Sequence, residues 1–267
     1  MTAQPVELVS ASIPTPRGGP FLGLRTVMGK EFNEWVRGPK ALIILGVSAL
    51  GAVFMTLIPF IAAATGEAKA AGLLSHDPTA NVLLGWTGQT VALIAVLATM
   101  ALISTERDRG TLGWTLTNPV SPTSVISAKF VVAFVVFVAT AVLLPMLLSV
   151  ALATVVYGGL PDLGVVGSFF VLFLALPAFY IALTVAVGTG VKSTVGVAGT
   201  AFAVMFLPQV LGGLLPIVTE LSPTSIGAWA LLVAKGQPAS MLTPIGWGIS
   251  MIVLVVGAKV VFDRQEF

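Results

Sequence analysis

The chain has no cysteine and a single histidine, His76, among its 267 residues. Without cysteine there is no disulfide and no thiolate metal site. Charge is nearly as scarce: 9% of residues are charged, against about 25% in a soluble domain whose whole surface must be wetted. The net charge of +2 is too small to draw nucleic acid. Carboxylates are missing from every long apolar run; Glu7, Glu31, Glu34, Glu67, Asp77, Glu106, Asp108, Asp162, Glu220, Asp263 and Glu266 all fall between or beyond them. Proton- and ion-coupled transporters keep such groups at bilayer depth, so their absence counts against a secondary transporter. Intramembrane hydrolysis would lack both a Ser–His dyad and a carboxylate pair, and His76-Asp77-Pro78 reads as a turn and helix cap instead of a metal site. The nearest approach to a phosphate-binding GxxxxGK[ST] loop is GTGVKST at 188–194, where Val191 precedes Lys192 and the upstream glycine is misplaced. The chain is therefore expected to hold no ATP, no metal and no catalytic residue of its own.

What is present is apolar: 57% of residues are hydrophobic and the mean hydropathy is +1.03. The runs are continuous, which points to membrane-spanning helices and not to the alternating segments of a barrel. Six spans are expected, at about 41–64, 81–103, 125–157, 165–188, 194–218 and 243–262. The third is long, carries Pro145, and should kink or protrude; Pro177 lies in the fourth, and Pro208 and Pro216 in the fifth. With the N-terminus inside, the inner segments hold Arg17, Arg25, Lys30, Arg37, Lys40, Arg107, Arg109, Lys129, Lys192, Lys259 and Arg264, and the outer loops only Lys69 and Lys235. That asymmetry predicts both termini in the cytosol, residues 1–20 as a disordered tail and 263–267 as a short charged one.

Ahead of the first span, residues 21–40 contain LRTVMGKEFNEWVRGPK. Leu24, Val27, Met28, Trp35 and Val36 form a broad apolar side, with Arg25, Lys30, Glu31, Glu34 and Arg37 as the polar remainder. The pattern predicts an amphipathic helix lying in the inner interface, anchored by Trp35 and Arg37; a merely polar flank is the alternative. Between the fifth and sixth spans, 219–242 includes an apolar stretch at 226–233 too short to cross, expected to dip into the outer leaflet. SPTSV at 121–125 and SPTSI at 222–226 share the Ser-Pro chemistry of a helix start.

The most charged stretch, ERDR at 106–109, opens a polar insert between the second and third spans, at 104–124. Gly110 permits a turn, TLGWTL supplies one or two helical turns with Leu112 and Leu116 on one side, and Asn118-Pro119 stops it. Ser121-Pro122 then restarts a helix with Lys129 near its head. The charges, Gly110-Thr111-Leu112, Pro119-Val120 and Lys129, set in this topology, resemble ABC-2 type transporter permeases over about 22–267. The resemblance implies an all-α polytopic membrane protein of six transmembrane helices in a type V exporter-like arrangement, in the cytoplasmic membrane of a prokaryote. It also implies that ATP and Mg bind a separate ABC ATPase, present in two copies, and that this chain pairs with a second permease chain to enclose one pathway. The insert would be the coupling helix that docks on the ATPase, through Glu106, Arg107, Asp108, Arg109, Gly110, Thr111, Leu112, Trp114, Leu116 and Pro119. In the family the second and fifth spans meet near the dimer axis, which makes Trp86, Gln89, Thr90, Gly199 and Gln209 candidates for the pathway or the dimer interface; helix packing is the plainer role for each. The aromatic-rich entry of polysaccharide-exporting relatives is missing, so export of a hydrophobic or amphipathic drug, lipid or peptide is the expected function, with a non-transporting membrane scaffold as the alternative.

Overall fold

A computed structural model describes residues 19, 21–64, 77–86, 89–108 and 120–263. Among the described residues every regular element is helical. The first two helices, α1 (Leu24–Arg37) and α2 (Lys40–Ala64), are separated by Gly38-Pro39. Among the described residues five helical stretches are long and apolar enough to cross a membrane: Lys40–Ala62, Thr123–Tyr157, Leu163–Gly190, Thr194–Gly212 and Leu242–Val261.

The second expected span is not one helix. It divides into α3 (Pro78–Leu84), α4 (Thr90–Thr99) and α5 (Ser104–Asp108). Asp77 caps α3 by accepting from the Thr79 N–H at 2.9 Å, with Pro78 in the first helical position. The first break follows at Gly85, where a side chain would bring its Cβ within 2.9 Å of Met55 Cβ on α2. The close approach of two backbones requires glycine there, and glycine weakens the helix it sits in.

The third span, in contrast, is continuous and longer than a bilayer needs. It begins as α6 (Pro122–Phe137), passes through a π-helical turn at Val138–Leu143 and finishes as α7 (Leu144–Tyr157). The expected irregularity at Pro145 takes this form: Pro145 lacks an N–H, its ring crowds the preceding turn, and the Leu144 N–H reaches back five residues to the Ala139 carbonyl.

The fourth span, α8 (Leu163–Phe173) and α9 (Ala175–Gly190), changes direction at Leu174. Pro177 cannot donate to the carbonyl of Phe173, and Trp247 Nε1 donates to Ala175 O at the same break, 2.9 Å away. The fifth span ends sooner than expected. Helix α10 (Thr194–Gly212) stops at Gly212-Gly213, and Pro216 opens a separate α11 (Pro216–Leu221). A 3-10 turn at Pro223–Ser225, then α12 (Ile226–Ala234), lead to α13 (Leu242–Asp263). Both Ser-Pro repeats start helices: Ser121 accepts from Ser124 N–H at 3.1 Å, and Ser222 from Thr224 N–H at 3.2 Å.

Helices α1 and α2 follow the third span along its length. Ser121 N–H donates to Leu22 O at 3.1 Å. Further along, Lys129 meets Glu31 and Tyr157 Oη meets Thr56 O, at sequence separations of 98 and 101. The near-constant offset means that the two stretches run side by side in the same direction. Helix α1 is therefore packed lengthwise on α6, where the sequence predicted a helix laid flat in the interface.

Candidate functional site

The buried stripe of α1 is Val27, Glu31 and Trp35, spaced one turn apart. Two corrections follow. Trp35 is 1% exposed and belongs to the main hydrophobic core, so it is not an interfacial anchor. Glu31, expected on the polar side, is 2% exposed. Arg25, Lys30 and Arg37 are exposed as expected.

Glu31 is buried because Lys129 reaches it. The Lys129 ammonium lies 2.8 Å from Glu31 Oε1 and 3.0 Å from Glu106 Oε2, and its side chain is 3% exposed. Glu106 also meets Lys30 Nζ, at 3.3 Å from its other oxygen, near the surface. The order Glu31, Lys129, Glu106, Lys30 joins α1, α6 and α5 and balances two carboxylates against two ammonium groups. Stripping water from a lone ammonium costs several kcal/mol; two carboxylates in hydrogen-bonding geometry offset that cost. Lys30 lies outside the membrane spans: burial pulls its pKa down, but Glu106, Glu31 and Glu34 outweigh burial and raise it above the ordinary 10.5. Sequence reasoning placed Lys129 near the head of the third span and counted it only among the inner basic residues. Its one signal was a lone cation at the head of a long apolar span.

A second attachment lies at the start of α1. Gly23 has φ 78°, a left-handed conformation that favours glycine, and a Cβ on it would come within 2.8 Å of the Val120 side chain. Ser121 bonds Leu22 immediately beside it. Glu106 and Val120 bracket the segment expected to dock on an ATPase, and both rest on α1. Of that segment, Arg109, Gly110, Thr111, Leu112, Trp114, Leu116 and Pro119 lie outside the described residues, as do the side chains of Arg107 and Asp108, whose backbone closes α5.

The candidate pathway residues do not form one cluster within the chain. Trp86 is 4% exposed and meets Phe173 edge-on, with ring centroids 6.0 Å apart. Gln89 sits in the break of the second span with Oε1 buried and no hydrogen-bond partner among the described residues. Thr90 and Gly199 are exposed on α4 and α10, two helices that pack together. Gln209 is exposed too, and its Nε2 donates to Met205 O of its own helix at 3.1 Å. Two hydroxyl contacts tie α4 and α5 to their neighbours, Thr99 to Thr184 of α9 at 2.7 Å and Ser104 to Thr194 of α10 at 3.1 Å. Among the described residues no group of histidine, aspartate and glutamate is arranged to hold a metal ion.

Among curated proteins none matches the chain. The sequence matches the profile described as ABC-2 family transporter protein over residues 25–267, from the second residue of α1 to the end of the chain. A helical, charge-poor membrane protein whose match includes the interlocked α1, α5 and α6 is thereby placed: the chain belongs to the ABC-2 transporter family, as a permease component of an ABC transporter.

Proposed function

We propose that this permease is one half of an export pathway, with both termini in the cytosol, six spans, and a separate ATPase docking on 104–124. The broken stretch 78–108 counts as the second span in this reading. Two ATPase copies bind ATP and Mg, and two permease chains enclose the path of a hydrophobic or amphipathic cargo. The observation that carries the reading is the bracketing of 109–119: its upstream root is held by the Glu106 contacts to Lys129 and Lys30, its downstream root by Val120 and Ser121 against Gly23 and Leu22.

A push on that segment reaches two elements at once, α1, which leads into α2, and the 35-residue third span that begins at Thr123. A motor biases an inward/outward equilibrium only through contacts that differ between the two states. The buried charge cluster is suited to that part, because its pairs are costly to leave half-made.

The chain lacks cysteine, so single-cysteine variants give an unambiguous test. In the complex copurified with its ATPase, Leu112→Cys and Leu116→Cys should cross-link to the ATPase subunit through a short bifunctional thiol–amine reagent. Lys235→Cys, on the other side of the membrane, should not. Cross-linking from Lys235→Cys alone would reverse the orientation, and none from either inner position would remove the docking role.

A further inference from the structure

We propose that the outer flank of α1 seats an anionic phospholipid of the inner leaflet, phosphate on Arg25 and an acyl chain in the groove between α1 and α6. The site rests on the orientation read from the basic residues. It does not require an ATPase, so it stands or falls separately from the coupling role.

The groove has a volume of about 460 Å³. One wall is Leu24, Met28 and Phe32 of α1, and the other is Val131 and Val135 of α6. Among the described residues Arg25 is the one charged residue lining it. The apolar walls continue onto an exposed surface: Phe32 is 48% exposed, Val36 51%, Val131 37% and Val135 54%. Against water such a patch is unfavourable; against acyl chains it is ordinary.

Gly29 is the telling residue. It lies in the interior of a 14-residue helix, where glycine costs about 1 kcal/mol relative to alanine. Nothing lies within 4 Å of where its Cβ would be, so no close packing demands it. What the missing side chain leaves is space in the groove, one turn from Arg25.

A long apolar channel ending in one guanidinium matches an amphiphile with an anionic head. Guanidinium binds phosphate oxygens in a bidentate fork. The exposed charges of α1 favour a net-negative headgroup, because Arg25, Lys30 and Arg37 outnumber the exposed Glu34 while Glu31 is buried on Lys129. Each basic group near a membrane surface shifts the preference for anionic lipid by about fivefold.

The test is native mass spectrometry of the full chain released from nanodiscs of equal phosphatidylglycerol and phosphatidylcholine. Wild type should retain phosphatidylglycerol in preference. Arg25→Gln should lower the retained phosphatidylglycerol:phosphatidylcholine ratio about fivefold, and Gly29→Phe, which fills the groove, should lower total retained lipid. Lys192→Gln, on the exposed inner loop, controls for loss of one positive charge and should leave the ratio unchanged. Retention unchanged in both Arg25→Gln and Gly29→Phe, or an equal loss in Lys192→Gln, would overturn the site. So would phosphatidylglycerol binding that appears only after residues 2–18 are deleted, because the tail would then be the occupant.

Discussion

At the scale of single residues, Lys129 carries the account. Replacing one member of a buried ion pair leaves the other charged and unpaired, which costs about 3–5 kcal/mol. Lys129→Met should therefore lower the thermal unfolding midpoint in detergent sharply. The double variant Lys129→Met, Glu31→Leu should recover much of the loss, since a buried pair replaced by apolar groups is often neutral. Equal destabilisation by the single and double variants would show that the pair is not coupled. Lys30 behaves differently, with its side chain 55% exposed. Its raised pKa gives a contribution fully present below the unfolded value and lost only as pH climbs through the higher folded value, above 10.5. The stability difference between wild type and Lys30→Ala should thus be small and flat from about pH 6 to about pH 9, and fade only beyond the ordinary lysine range. None of this was legible in a helical wheel. A wheel sends every carboxylate to solvent, and the partner that keeps Glu31 inside comes from 98 residues further along the chain.

At the scale of elements, the reading succeeded where the cause was local. Ser121-Pro122 and Asp77-Pro78 read as helix starts from their cap chemistry alone, and both are. Pro145 predicted an irregular third span, and a π turn precedes it. It failed where tertiary packing decides. Gly85 lies inside the expected second span, but its close approach to Met55 accompanies a break that hydropathy cannot register. Gly212-Gly213 and Pro216 ended the fifth span early, although the apolar run continues through them. The attachment of α1 to the root of α6 gives an element-scale prediction. Gly23→Val must adopt φ 78° and displace Val120, at a cost of about 1–3 kcal/mol. Limited proteolysis should then cut within 109–119 faster than in wild type; an unchanged cleavage rate would mean that this root is not held by α1.

At the scale of the whole molecule, the sequence made the class plain, because 9% charge in a chain of this length leaves few alternatives to the bilayer. It could not say how force would enter. The structure joins α1, α5 and α6 through one buried cluster, and we take that cluster as the transmission point between an ATPase and the spans. The most direct measurement uses Thr90→Cys as the only thiol in the permease, in the complex reconstituted with its ATPase. Its reaction rate with a membrane-impermeant thiol reagent is compared with and without trapped nucleotide, on a background of either Lys129 or Lys129→Met. A nucleotide-dependent change in rate is expected with Lys129, and loss of that change with Lys129→Met while ATP hydrolysis continues. The same nucleotide-dependent change on both backgrounds would contradict a transmission role for the cluster.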